Sequence, residues 1–178
     1  QLEHRYFGIF PSFLDYGRYA RLEVKASHQC FYEVILGHMI QKPYFDLDIP
    51  LDDATPIEAQ RLRDQVYFGI LDEFPQIHPT DIMDCTSHSE TKRSHHLVID
   101  NWCVRDHEDA KAMCQKVISR VEPQYHRYID MSMYKSVQQF RILGSHKWES
   151  PRVKILSPQS HWKPSVEPTS DNHHFMLQ

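Results

Sequence analysis

Two aspartates one residue apart, Asp46 and Asp48, interrupt the apolar, β-prone run PYFDLDIP at residues 43–50. Side chains on a strand repeat every two residues, so these carboxylates share a face with Tyr44 while Phe45 and Leu47 take the other. A strand holds them about 7 Å apart. Like charges fixed at that spacing repel unless something positive stands between them, and a divalent cation is the simplest such group. The same pattern also describes an exposed strand end running into an acidic loop, since Asp52 and Asp53 follow.

The elements that must carry this pair can be read from the neighbouring sequence. Residues 29–49 read as a hairpin: QCFYEVIL is aromatic and β-branched, Gly37 breaks it, and PYFDLDI resumes the strand pattern. Thr55-Pro56-Ile57-Glu58 has the N-cap, first-turn proline and third-position glutamate of a capping box. Leu62, Val66, Ile70 and Phe74 follow at i+4 spacing, which predicts a helix of about five turns ending near Pro75. Residues 81–87 and 94–100 read as a second pair of strands, with LVID as the buried part. Asp106 caps a further helix whose Ala110, Met113, Val117, Ile118 and Val121 keep to one face before Pro123. Within 128–143, RYIDM and QQFRIL both have strand character. Strand pairs separated by helices predict an α+β domain, a mostly antiparallel sheet with helices on one side and its second face free for a site. The domain is expected over 1–156. Residues 157–178, with Pro158, Pro164, Pro168 and TSDNHH, read as a tail or linker.

At 178 residues and 40% hydrophobic, the chain has enough apolar side chains for one core of ordinary size. No apolar run has the length of a membrane span, and QLEHRYFGIF lacks the charged start and long apolar centre of a signal peptide. The chain opens on Gln1 rather than Met, as expected of a piece of a longer protein. Cys30, Cys85, Cys103 and Cys114 form no C-x-x-C pair and have no regular spacing, which argues against both a structural zinc site and a disulfide framework. The thirteen histidines include none at H-x-x-x-H spacing on a helix with cysteine partners, which argues the same way. An intracellular, reducing setting is expected. The net charge of -4 conceals a division along the chain. Residues 44–84 hold ten acids against Arg61 and Arg63, whereas residues 131–164 hold six bases against Glu149 alone, a surface able to face phosphate.

Three segments, FDLDI at 45–49, KRSHHLVI at 92–99 and YIDMSMYKSVQQFRILGSHK at 128–147, together resemble the signature motifs of the archaeo-eukaryotic primase superfamily. The likeness covers roughly residues 25–155. It is closest to the PrimPol branch and to the primase domain of primase-helicases from large DNA viruses. The first motif matches at Asp46 and Asp48, after Tyr32-Glu33-Val34-Ile35. The second matches at Ser94 to His96 before Leu97-Val98-Ile99, and the third at Ile129-Asp130, Tyr134, Phe140-Arg141 and Lys147.

The resemblance implies an RRM-like sheet and a two-metal nucleotidyl-transfer site, with Asp46, Asp48 and Asp130 holding two Mg²⁺ or Mn²⁺ ions. Strand period explains why the first two share a face; only the resemblance implies that Asp130 joins them. It further implies that Lys92, Ser94 and His96 bind the incoming triphosphate. These residues alternate on one face and all offer donors, while His95 points away. Arg141 and Lys147 add charge, and Lys25 aligns with a basic nucleotide contact. Tyr32, on the strand expected beside the acidic one, is either a sugar contact that discriminates rNTP from dNTP or a core tyrosine. The expected partners are a single-stranded DNA template, a primer strand, NTP or dNTP, and a helicase domain in the same full-length chain, with no membrane. The host cytoplasm or nucleus is the expected location if the source is viral. Trp148 and Trp162 are expected as stacking platforms for template.

Taken singly, each residue has a plainer reading: Ser94 and His96 a satisfied polar pair, Asp130 a cap, Arg141 a surface cation. Two other functions compete. A metal-dependent nuclease also uses acidic clusters, and a catalytically inactive relative would serve as a DNA-binding replication module.

Overall fold

The computed structural model describes residues 6–164. A helix α1 (Phe13–Leu22) precedes β1 (Tyr32–Leu36) and β2 (Tyr44–Pro50), and α2 (Pro56–Glu73) follows. Next come the strands β3 (Ile82–Thr86) and β4 (Lys92–Ile99), the helix α3 (His107–Ile118), and the strands β5 (Val137–Arg141) and β6 (Ile155–Leu156). Every strand pair is antiparallel, in one sheet of order β2-β4-β3-β6 and a two-stranded sheet β1-β5, so the fold is α+β as the patterning implies.

Local chemistry accounts for the helices. Thr55 Oγ1 accepts from the Glu58 amide while the Glu58 carboxylate accepts from the Thr55 amide, the reciprocal box expected from T-P-I-E. Asp106 caps α3 by accepting from the amides of Glu108 and Asp109. Leu62, Val66 and Ile70 of α2 and Ala110, Cys114 and Val117 of α3 are buried. The two helices pack on each other, α2 also against β4 and α3 against β2. The strand side chains Phe45, Leu47, Ile49, Leu97 and Ile99 complete this core at 1% exposure or less, so truncating Leu47 to Ala costs about 2–5 kcal/mol.

The expected hairpin at 29–49 is not formed. β1 pairs with β5, Tyr32 opposite Arg141 and Leu36 opposite Val137, and lies in a different sheet from β2. Gly37 explains the detour: its amide donates to the Ser136 carbonyl and its carbonyl accepts from the His107 amide. A Cβ there would lie 2.5 Å from the Lys135 carbonyl oxygen, so only glycine admits this close approach. Period-two patterning marks a strand but not its partner.

Residues 128–133 are mostly short 3-10 turns, with strand character limited to one bridge between Ile129 and Leu47. Of the tail expected at 157–178, residues 157–164 run back along β3. Ser157 donates to the Asp84 carbonyl, Lys163 to the Thr80 carbonyl, and the Trp162 indole to Asp100 at 3.0 Å. Trp162 therefore packs on the core, contrary to the stacking role expected for it. Residues 165–178 lie outside the described part. No helix among the described residues is long and apolar enough to cross a membrane.

Candidate active site

The antiparallel register of β2 and β4 sets Asp46 opposite His96 and Asp48 opposite Ser94, with Pro50 opposite Lys92. Directly opposed side chains on one face are neighbours, so the acidic pair and the donor set meet on a single wall. The third carboxylate arrives from far along the chain. The Asp130 amide donates to the Asp46 carbonyl at 2.9 Å, beside the Ile129–Leu47 bridge. Tyr44 secures that segment from below: its hydroxyl donates to the Met133 carbonyl, and its own carbonyl accepts from the Tyr134 hydroxyl. Tyr134 and Phe140, both motif positions, are buried against Tyr44 with ring centroids 5.3 and 5.2 Å away.

β1 and β5 supply the facing wall through Tyr32, Gln139 and Arg141. Together these residues enclose a cleft of about 230 Å³ that is lined also by Lys147, Ser87, Arg152 and Met133. Nine of the ten residues expected at the site line it: Asp46, Asp48, Asp130, Lys92, Ser94, His96, Arg141, Lys147 and Tyr32. Lys25 does not; it caps the exposed turn 26–28, whose His28 ring stacks on Trp148 at 6.1 Å. Tyr32 reaches the cleft although its strand does not adjoin the acidic one. Ser87, Gln139 and Arg152 also line the cleft without belonging to the expected site residues; of the three, only Arg152 has a sequence signal, the basic run at 131–164.

The charges here are unevenly compensated. Asp48 pairs with Lys92 at 2.7 Å, and Asp130 accepts from the Ser132 amide, so it is also the cap of a short turn. Asp46 is different. Burial, followed by the nearby Asp48 and Asp130 carboxylates, pushes its pKa up to about 7. His96 Nε2 stands 3.4 Å from Asp46 Oδ1, a distance at which an imidazolium would pair with it. Burial and the cations Lys154, Arg141 and Lys147 instead hold the His96 pKa well below its ordinary value, leaving the ring neutral. Asp46 Oδ1 and His96 Nδ1 are both buried without a hydrogen-bond partner among the described residues, as is Arg141 Nε. The rest of the Arg141 guanidinium is tied to Ser87 Oγ at 2.6 Å and to the Arg152 carbonyl at 3.1 Å.

An orphaned buried carboxylate oxygen with two further carboxylates around it fits a hard divalent cation. Among the described residues no three acidic, histidine or cysteine side chains are drawn together into a closed ligand cluster.

No family model matches the chain. It is similar, at 28% identity over 172 residues, to a protein of African swine fever virus (Kenyan pig isolate KEN-50) that carries the name helicase/primase complex protein. That match covers 86% of this chain and 16% of the relative. Proteins of the same name match from the Badajoz strain, at 28% over 162 residues and 75% of this chain, and from a Malawi tick isolate, at 29% over 156 residues. They are covered over 15% and 14% of their lengths, so the chain spans about a sixth of the relatives it matches.

Proposed function

We propose that this chain is the nucleotidyl-transfer core of a primase-polymerase of the archaeo-eukaryotic primase superfamily, extending a primer 3′-hydroxyl with NTP or dNTP on single-stranded DNA. The observation that carries this reading is the meeting of Asp46, Asp48 and Asp130 with Lys92, Ser94, His96 and Arg141 around one cleft. Similarity to viral helicase/primase complex proteins supports it and suggests joint action with a helicase.

Asp46, Asp48 and Asp130 would hold Mg²⁺ or Mn²⁺. Such ions, when bound, activate the attacking hydroxyl and neutralise charge on the departing pyrophosphate. The chain's own residues bind and orient the nucleotide. Ser94 and His96 offer hydrogen-bond donors from β4, and Arg141 presents its free Nε from the facing wall. Lys92 serves first as the counterion of Asp48; it turns to a phosphate when the triphosphate arrives, freeing Asp48. Tyr32, 38% exposed at the cleft wall, would lie against the sugar of a bound nucleotide. Trp148 and its His28 neighbour, beside Lys147, offer the template a stacking platform.

A nuclease reading is disfavoured by the donor set opposite the carboxylates, which hydrolysis of a phosphodiester does not require. The test is de novo synthesis on single-stranded DNA with Mn²⁺ or Mg²⁺, rNTPs and dNTPs being supplied separately. Products that lengthen with nucleotide, and vanish in Asp46→Ala, support the proposal. Template cleavage without nucleotide would turn the assignment to a nuclease, and neither activity would favour a non-catalytic replication module.

A further inference from the structure

Lys154 lies beneath the cleft at 4% exposure, and no carboxylate among the described residues pairs with it. Its ammonium donates to the Arg141 carbonyl at 2.7 Å and sits 4.1 Å from the centre of the Phe140 ring. That ring lies 4.5 Å from the ring of His96. Burying an unpaired ammonium is costly, and here burial pulls its pKa down to about 8. The hairpin that carries Lys154 does not need the charge. Gly144, at φ 83°, turns the chain after β5, and backbone bonds from Gly144 to the Lys154 carbonyl and from Lys154 to the Ser145 carbonyl close the loop. A methionine would fill the same space without the desolvation cost.

We propose that Lys154 is a positioning residue for the nucleotide wall of the cleft, fixing β5 through the Arg141 carbonyl and the His96 imidazole through the Phe140 ring. The inference rests on reading the cleft as a nucleotide site. Ser87 and the Arg152 carbonyl hold the guanidinium of Arg141, while Lys154 holds the backbone from which that side chain extends. One buried cation thereby couples donors on two different sheets.

The test is binding of N-methylanthraniloyl-ATP with MnCl₂, followed by fluorescence on the folded fraction of the chain. Lys154→Met is expected to weaken binding about tenfold. Lys154→Gln, which keeps a donor for the Arg141 carbonyl, is expected to weaken it about threefold. In an Arg141→Lys background the further loss from Lys154→Met should shrink below threefold, because both changes act through one group. A purely structural lysine would lower the melting temperature and leave the affinity of folded protein unchanged, which overturns the proposal. Should Lys154→Met fail to fold, wild-type affinity in Lys154→Gln overturns it equally. Failure of the wild-type chain to bind the probe would instead remove the nucleotide reading itself.

Discussion

On opposite faces of β4, two adjacent histidines each meet an aspartate, and the two pairs are built differently. Behind the strand, Asp84 Oδ1 stands 3.1 Å from His95 Nδ1 and Oδ2 accepts from Arg63 Nε at 3.0 Å, so α2, β3 and β4 are locked by a pair whose two oxygens are both engaged. In front, Asp46 Oδ1 and His96 Nδ1 have no hydrogen-bond partner among the described residues, although both atoms are themselves buried. Buried polar groups are nearly always satisfied, so the rear pair reads as architecture and the front pair as a place awaiting a ligand. The same residue types, one strand position apart and therefore on opposite faces, are thus held in different ways.

The strongest way to break this contrast is to truncate both aspartates. Asp46→Ala and Asp130→Ala should abolish nucleotide incorporation in a primer-extension assay, by at least about a thousandfold, a loss of roughly 4 kcal/mol of transition-state stabilisation. Neither melting curve should fall far below wild type, so the loss of activity is not a loss of fold. Asp84→Ala should do the reverse, losing about 3–5 kcal/mol in urea denaturation because the buried Arg63 loses its buried partner and keeps only the half-exposed Asp64, while His95 loses its acceptor.

A subtler test uses pH. The folded-state pKa of Asp46 lies near 7 against an ordinary 3.8, so the folded chain holds a proton that the unfolded chain has already lost. Stability from this group therefore falls as pH rises from 4 to 7 and stays low above that. Without divalent ions, Asp46→Asn should melt with the wild type below pH 4 and be more stable above pH 7, by at most about 4 kcal/mol at 1.36 kcal/mol per pKa unit. Added MnCl₂ should stabilise only the wild type and narrow the gap; an unchanged gap would count against a cation at Asp46.

The smallest expected effect concerns the tryptophans, which repeat the contrast. Trp148→Ala should weaken single-stranded DNA binding by about 1–3 kcal/mol without changing the melt. Trp162→Ala should lower the melt and spare DNA affinity, since its indole is bonded to Asp100.

Much of the front wall is legible in the sequence. Strand period put Asp46 with Asp48 and Lys92 with Ser94 and His96, and sent His95 to the back, where Asp84 meets it. The capping box at Thr55 and the Asp106 cap were equally readable, because both depend on contacts within four residues. Lys25 shows the limit of motif likeness: it sits on an exposed turn and not among the cleft-lining residues. Tyr32 reaches the cleft by a route that the expected hairpin did not describe.

Periodicity and capping, then, determined from the sequence alone which residues share a face and where the helices start, since backbone dihedrals propagate over only a few residues. The tertiary structure decided that β1 pairs with β5, that Asp130 bonds to the backbone of Asp46, and that Lys154 is buried beneath Arg141. Those contacts join segments many residues apart, and their selection rests on the packing of the whole core, which no local pattern encodes.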